Sequence, residues 1–241
     1  MNILALDSSS KALSVALVAD GNVLGELTLN SKKNHSTTLM TSIDFLLAQA
    51  GIEPTALDRI VVAKGPGSYT GLRLAATVGK TLAFSLDKEL VGVSSLLAIA
   101  KRWQDPQAFV VPLLDARRGN AYAAVYKNGE QIVADQHCVF SEFLVDLAAK
   151  VNDFSRVIFT GETENFIKDI ERAGFDQSQI VADSLTKLPS AYQIARIGER
   201  LEAENVHSFV PNYLKKVEAE EKWLETHEKD ENAADDYVQR V

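Results

Sequence analysis

The chain repeats part of its own pattern, and this repeat restricts the fold more than any other feature. Residues 6–21 and 114–129 align without a gap at an offset of 108 residues. Leucine, aspartate, alanine and glycine coincide along the alignment, and the Asp-Gly pair at 20–21 aligns with an Asn-Gly pair at 128–129. Both segments are typical of strand, turn and strand, followed by a tight hairpin turn into a third strand. The repeat therefore predicts two units that each begin with three strands.

The patterns that follow each hairpin extend the parallel between the two units. Predicted helices cover 36–50, 70–85, 141–150 and 191–203, and predicted strands cover 59–63 and 156–160. This order predicts an α/β protein with duplicated βββαβα lobes. The alternative to duplication is coincidence, because alternating apolar residues recur in many α/β proteins. We assign the first lobe to residues 1–105, the second to 106–216 and an acidic tail to 217–241.

Composition narrows the class of protein. Of the 241 residues, 46% are hydrophobic, which is enough for a sizeable core. The single cysteine, Cys138, excludes an internal disulfide. The longest uncharged apolar run, 90–100, is shorter than the ~18 residues that a membrane span needs. The first residues also lack the basic region of a secretory signal. We therefore expect a cytoplasmic protein with no membrane contact.

The charge is unevenly distributed along the chain. Of the net charge of −8, the tail from 217 onward carries −6, so the remainder is close to neutral. That remainder offers no basic footprint for independent binding of nucleic acid. The tail fits either a solvated helix or an acidic interaction arm.

A glycine-rich stretch at 63–83 follows an apolar strand and is itself helical in composition. It contains Gly-Lys-Thr at 79–81, but a Walker loop needs glycine at position 74, which is Leu74. The spacing of its other glycines is also one residue too long for a dinucleotide fingerprint. We interpret Gly65, Pro66 and Gly67 as a stiff turn that permits positive φ and close backbone approach, with Gly71 in the same structural loop. Ser68 or Thr70 is expected to cap the following helix.

A helical wheel of that helix separates a bulky sector from a sector of small residues. We expect the bulky sector to pack on a sheet and the small sector to let another helix approach. That second helix is either the chain's own helix at 36–50 or a partner protein's helix. Phe84, and Phe45 on the neighbouring helix, lie off the apolar stripes and suggest a partner surface. The predicted interface residues are Phe45, Leu72, Ala76, Gly79, Ala83 and Phe84.

Five segments together resemble one known family. The segments "ILALDSSSKALSVAL", "GPGSYTGLR", "GVSSLLAIA", "DARRGNAYAAVY" and "VPNYLKK" are similar to those of TsaB, also called YeaZ. The resemblance implies an actin-like (ASKHA, ribonuclease H-like) fold. It also implies a non-catalytic dimerisation subunit that supports the transferase TsaD. That complex threonylcarbamoylates the adenosine beside the anticodon in tRNAs that read codons starting with A.

The resemblance carries further expectations about partners. A TsaE-like ATPase joins through the complex, the chain forms a homodimer when alone, and tRNA is contacted only indirectly. The helices of the N-terminal lobe form the dimer. The rival readings are an autonomous small-molecule kinase or ATPase and a metalloprotease-like activity.

The resemblance also bears on ligand sites. In this fold the turns after the first strand of each lobe face a cleft, so the candidate cleft residues are Asp7, Ser8, Ser9, Asp115 and Arg117. The alternative for both aspartates is that each stabilises its own turn through backbone hydrogen bonds. We expect no cofactor and weak or no ATP binding by this chain alone.

We predict no catalytic residue and no metal ligand. TsaD carries a His-x-x-x-His metal motif, and Ser95 and Ile99 occupy the two aligned positions here. Isoleucine cannot ligate a metal, and a lone serine hydroxyl is a poor ligand. The four histidines lie far apart in sequence and show no ligand spacing.

Overall fold

A computed structural model describes residues 1–31, 34–151 and 153–215. The strands are β1 Asn2–Asp7, β2 Leu13–Ala19, β3 Asn22–Leu29, β4 Arg59–Gly65, β5 Glu89–Ser94, β6 Phe109–Asp115, β7 Asn120–Lys127, β8 Glu130–Val139 and β9 Val157–Gly161. The helices are α1 His35–Ala50, α2 Tyr69–Leu86, α3 Ser95–Ala100, α4 Phe140–Lys150, α5 Ile167–Arg172 and α6 Ala191–Gly198. The predicted tail at 217–241 lies outside the described residues.

The strands form two sheets with the same internal order. The first sheet runs β3-β2-β1-β4-β5 and the second runs β8-β7-β6-β9. In each, the first strand of the lobe pairs antiparallel with the next strand in sequence and parallel with the strand that follows the helix. The two βββαβα lobes predicted from the repeat are therefore confirmed, and β5 and α3 are additions to the first lobe.

The hairpin turns that relate the two lobes have the same backbone geometry. Asp20 and Gly21 have φ values of 48° and 76°, and Asn128 and Gly129 have 50° and 83°. Two consecutive residues with positive φ define the turn that matches the twist of the flanking strands. Asp-Gly and Asn-Gly pairs adopt this geometry at low cost, which explains why these pairs coincide in the alignment.

The first sheet is covered on both faces. Leu39 and Ile43 of α1 and Ala75 of α2 share one core cluster with Leu4 of β1. On the opposite face, α6 packs on β1 and β2. The short helix α3 connects the lobes, because its residues pack with those of β6 and β7 in a separate cluster.

The position of α6 corrects the predicted domain division, which assigned 106–216 to the second lobe. Ser190 caps α6, and the carboxylate oxygen Oε1 of Glu26 accepts hydrogen bonds from Ser190 Oγ at 2.7 Å and from Tyr192 N at 3.2 Å. A Cβ atom at Gly198 would lie 2.4 Å from Val61 Cγ1, so α6 lies close against the first sheet. The second-lobe counterpart of α2 is instead the short α5, which is absent from the predicted helices.

The chain after α6 stays with the first lobe. Glu204 N donates to Leu90 O at 2.8 Å, and Asn212 N donates to Lys64 O at 2.6 Å. Lys80 of α2 donates to the carbonyl oxygens of residues 207 and 209 at 3.1 and 2.9 Å. Lys80 thus anchors this returning segment. Across the described residues, no helix is long and apolar enough to cross a membrane.

Candidate functional site

An open cleft with a volume of ≈ 970 Å³ lies between the two lobes. Its walls come from the turn after β1, the starts of α1 and α2, the turn after β6, and the segment after β9. Of the five candidate cleft residues, Ser9, Asp115 and Arg117 line this cleft. Asp7 and Ser8 do not line it, because both are fully buried beneath it. The prediction that Asp7 and Ser8 lie in the cleft is therefore wrong.

The two aspartates that end β1 and β6 make the same local contact. Asp7 Oδ1 accepts a hydrogen bond from Ser9 N at 2.8 Å, and Asp115 Oδ1 accepts one from Arg117 N at 2.8 Å. Each carboxylate therefore stabilises the turn that follows its strand, as the alternative reading proposed. The second carboxylate oxygen of Asp115, Oδ2, accepts a hydrogen bond from Asn165 Nδ2 at 2.8 Å.

Asp7 differs from Asp115 in its surroundings. Its side chain is fully buried, and its Oδ2 has no hydrogen-bond partner among the described residues. Burial raises the pKa of Asp7, because a carboxylate loses its hydration there, and the hydrogen bonds from Ser9 only partly offset that loss. This carboxyl belongs to the structural support of the cleft.

The glycine-rich segment brings α2 against the turn after β1. Ser8 Oγ donates to Gly71 O at 2.7 Å, and Ser68 N donates to Ser9 O at 2.7 Å. A Cβ atom at Gly71 would lie 1.8 Å from Ser8 O, and one at Gly67 would lie 2.3 Å from Ser9 O. Backbone atoms therefore approach both glycines closely, which the sequence led us to expect at Gly67 but not at Gly71.

The remaining details of this loop also agree with its interpretation as a structural turn. Gly65 has φ of 115°, and its added Cβ would lie 2.6 Å from Asn212 O in the returning segment. Pro66 follows a cis peptide bond. Ser68 is the N-cap of α2, and its side chain accepts from Gly71 N. The loop supports the turn after β1 and the start of α2.

Glu162 is the site residue whose position the sequence did not predict. It follows β9, and its Oε2 accepts a hydrogen bond from Asp115 N at 2.9 Å. Its Oε1 accepts from Lys11 N at 3.5 Å, at the limit of hydrogen bonding. One carboxylate therefore contacts the turns of both lobes.

The two positions aligned with the TsaD histidines are part of the core. Ser95 and Ile99 lie on α3 and are fully buried between the lobes. In the described part of the chain, no three His, Cys, Asp or Glu side chains form a group that could hold a metal ion. The expectation that the protein carries no metal remains a prediction. His35 lies at the cleft, with its Nε2 3.2 Å from Ser10 O.

The faces of α2 correct four of the predicted interface residues. Leu72, Ala76, Gly79 and Ala83 are all buried within the first lobe. A Cβ atom at Gly79 would lie 2.5 Å from Val62 Cγ1 of β4, so the small residues let α2 approach its own sheet. The wheel separated the two sectors, but the small sector lies against the chain's own sheet and not against another helix as expected. These four residues stabilise the fold and are not available to a partner.

The two phenylalanines are exposed, as the wheel predicted. Phe45 of α1 is 52% exposed and Phe84 of α2 is 64% exposed. The ring of Phe84 lies edge-on to His207 at a centroid distance of 5.4 Å, which leaves most of it in solvent. Met40 on α1 is also exposed. We call these three side chains the outer apolar face; their role in binding a partner remains a prediction.

Comparisons with known proteins give a consistent result. The family model for TsaD, tRNA N6-adenosine threonylcarbamoyltransferase, matches residues 22–223. A Bacillus subtilis (strain 168) protein named tRNA threonylcarbamoyladenosine biosynthesis protein TsaB is 38% identical over 230 residues, covering 94% of this chain and 99% of that protein. The Escherichia coli (strain K12) protein of the same name is 33% identical over 132 residues, covering 54% and 57% of the two chains.

A solved structure agrees with the sequence relatives. A Pseudomonas aeruginosa protein described as similar to peptidase YeaZ superposes with a TM-score of 0.72 at 26% identity, covering 89% of this chain and 99% of that one. The duplicated lobes and the cleft between them define an α/β protein of the actin-like fold. Within that fold, the chain belongs to the TsaB family, also called YeaZ.

Proposed function

We propose that the protein is a non-catalytic scaffold subunit in the synthesis of threonylcarbamoyladenosine in tRNA. It supports a TsaD-like transferase that modifies the adenosine beside the anticodon in tRNAs reading A-starting codons. Membership of a family whose members are named for this biosynthesis supports the pathway. The observation that carries the scaffold role is the outer apolar face of α1 and α2, where two phenylalanine rings face solvent.

The chemistry of this face suits a partner helix. Phe45 and Phe84 contribute little to their own core, because more than half of each side chain is exposed. Large aromatic side chains that become buried on association are frequent hot spots, worth ~2 kcal/mol or more each. Such a loss corresponds to roughly a thirty-fold change in affinity, since ~1.4 kcal/mol is a factor of ten.

The proposal includes the other members of the complex. The TsaD-like subunit is the direct partner, a TsaE-like ATPase joins through that complex, and tRNA is contacted only through the assembly. In the absence of the transferase, the same outer apolar face pairs two copies of this chain. The chain alone uses no cofactor and does not turn over ATP, and the complex works in the cytoplasm. An autonomous kinase or ATPase would instead bind ATP tightly and hydrolyse it in isolation.

The test is association with a TsaD-like protein, measured by calorimetry for the wild type, Phe45→Ala and Phe84→Ala. Val145→Ala is the matched control, because Val145 is 71% exposed on α4 of the second lobe. We expect each phenylalanine variant to bind roughly thirty-fold more weakly. The control should bind like the wild type, and all variants should melt within a few degrees of it.

Two results would contradict the proposed interface. Undiminished association of both phenylalanine variants would show that the partner binds elsewhere. A large loss of thermal stability would show that the rings are needed by the fold, since truncating a core phenylalanine costs ~3–5 kcal/mol.

A further inference from the structure

A second, smaller pocket lies where the connection between the two lobes meets the β7–β8 turn and α6. Its volume is ≈ 150 Å³, and none of the described residues that line it also lines the cleft. The connection after α3 contributes Lys101 and Trp103. The turn contributes Asn128 and Gly129, and α6 contributes Gln193. We call this site the connector pocket; elements of both lobes form it.

The end of the Lys101 side chain is packed against the β7–β8 turn. A Cβ atom at Gly129 would lie 1.9 Å from Lys101 Nζ and 2.4 Å from its Cε, so the ammonium group lies directly against the glycine backbone. Lys101 is only partly exposed, and the described residues give its Nζ no ion pair and no hydrogen bond. A partly buried cation without a counter-charge favours binding of an anion at this place.

Neighbouring side chains add further hydrogen-bond donors. Trp103 Nε1 is buried and has no hydrogen-bond partner within the described residues. The side-chain amides of Asn128 and Gln193 make no hydrogen bond with the described part of the chain either. Asp105 also lines the pocket, but it is exposed and its Oδ1 accepts from Gln107 N at 2.8 Å. Buried N–H groups without a partner are rare in native proteins, so an acceptor from a ligand or water is expected beside Trp103.

The other walls of the connector pocket are apolar. Ala100 and Val110 are buried, and the ring of Tyr126 is fixed because its hydroxyl donates to Asp135 Oδ1. Pockets for drug-sized ligands measure about 300–1,000 Å³, so this one suits a molecule of only a few heavy atoms. A carboxylate with a short hydrocarbon chain matches both the donors and the apolar walls.

We propose that the connector pocket binds a small monocarboxylate, with Lys101 as the counter-ion. Trp103 Nε1 and the Gln193 amide donate to the carboxylate oxygens, and the hydrocarbon chain lies against the apolar walls. Hydrogen bonds from a charged donor to a carboxylate are the stronger kind, so Lys101 contributes most to binding. A phosphate dianion fits less well, because the pocket offers one cation and also contains the Asp105 carboxylate. The inference goes beyond the proposed function, since the pocket lies apart from the outer apolar face.

The experiment is a titration of the full chain with sodium propionate, followed by calorimetry and by tryptophan fluorescence. Trp223 is replaced by phenylalanine in every protein, so that the fluorescence reports on Trp103 alone. Sodium chloride and inorganic phosphate at equal ionic strength are the comparison anions.

Three variants of this parent chain are compared with it. Lys101→Met keeps most of the alkyl chain and removes the charge, and Gln193→Ala removes one donor. Lys168→Met is the matched control, because Lys168 is exposed on α5 and its replacement removes the same charge elsewhere.

We expect the parent chain to bind propionate in the low millimolar range, since a ligand with so few atoms gains little binding energy. The fluorescence of Trp103 should change over the same concentrations. Lys101→Met should bind at least tenfold more weakly, Gln193→Ala severalfold more weakly, and Lys168→Met like the parent. Chloride and phosphate should bind at least tenfold more weakly than propionate. If Lys101→Met does not fold, Gln193→Ala decides against the same control.

Four outcomes would overturn the proposal. The first is no saturable binding of propionate, and the second is binding that leaves the fluorescence of Trp103 unchanged. The third is chloride or phosphate binding as tightly as propionate does. The fourth is a loss of affinity in Lys168→Met as large as that in the two pocket variants, or no loss in either of them.

Discussion

Replacing Gly71 by alanine has two opposing effects on stability: it raises helix propensity, and it places a methyl group against the turn after β1. Gly71 lies in the first turn of α2, and an exposed helical glycine replaced by alanine normally stabilises a protein by ~1 kcal/mol. Here the added methyl group would lie 1.8 Å from Ser8 O and 3.0 Å from Ser8 C. These are backbone atoms of the turn after β1, so no side-chain rotation can relieve the overlap.

The cost follows from the contacts that hold the two segments together. Restoring an ordinary contact requires the turn and the helix to separate by about 1.5 Å, an overpacking that costs ~1–3 kcal/mol or more. The separation also breaks the Ser8 Oγ bond to Gly71 O, worth ~1 kcal/mol. Because the gain in helix propensity offsets the lost hydrogen bond, we expect a net loss of about 1–3 kcal/mol. For a chain of this size that lowers the melting temperature by roughly 2–12 °C.

The matched control is Gly51→Ala, measured in the same thermal melts. Gly51 has φ of 64° and no atom within 4 Å of its added Cβ, so only the left-handed backbone is penalised. That penalty is about 1–2 kcal/mol. A Gly71→Ala variant that melts at or above the wild-type temperature would refute the close approach of α2 to the turn after β1.

Three other predictions concern single groups. Asp7→Asn keeps the acceptor for Ser9 N and removes a buried charge, so it should be at least as stable as the wild type at neutral pH, whereas Asp7→Ala should lose ~1–3 kcal/mol in urea titrations. Because the folded-state pKa of Asp7 is raised, the stability of the wild type falls as the pH rises from the ordinary carboxyl pKa to the raised one. The stability advantage of Asp7→Asn over the wild type should therefore grow across that pH window. An advantage that is constant with pH would contradict this prediction. Burial raises the pKa of Cys138 to about 11, so iodoacetamide should alkylate it at least tenfold more slowly at pH 8 in the folded than in the urea-unfolded chain; equal rates would count against burial of the thiol. Elemental analysis after mild chelation should find no stoichiometric zinc, iron or magnesium, because Ser95 and Ile99 supply no ligand pair; about one metal per chain would overturn this.

The order of strands and helices along the chain and the hairpin turns were predictable because local residues determine them. The Asp-Gly and Asn-Gly pairs require no long-range contact to form their turns. The same order of strands and helices occurs once in each lobe. The exposure of Phe45 and Phe84 was likewise readable from helical periodicity. The fold class follows from these patterns together with the family resemblance.

The predictions that were wrong concerned which surfaces pack against each other in the folded protein. Periodicity showed that α2 has a sector of small residues, but only the position of β4 shows that Gly79 faces Val62. The same limit applies to α6, whose amphipathic pattern does not say which sheet it covers. The contact of Glu162 with Lys11 joins residues 151 positions apart, and no spacing rule predicts it.

The most direct test of the account is formation of the modified nucleoside in a reconstituted reaction. tRNA, ATP, bicarbonate and threonine are incubated with this chain alone, with the other pathway proteins alone, and with the complete set. Threonylcarbamoyladenosine is then quantified by mass spectrometry of the digested tRNA. A scaffold subunit predicts no product from this chain alone, full yield from the complete set, and a large loss of yield when only this chain is omitted. Product formed by this chain as the sole protein, or an unchanged yield in its absence, would contradict the scaffold role.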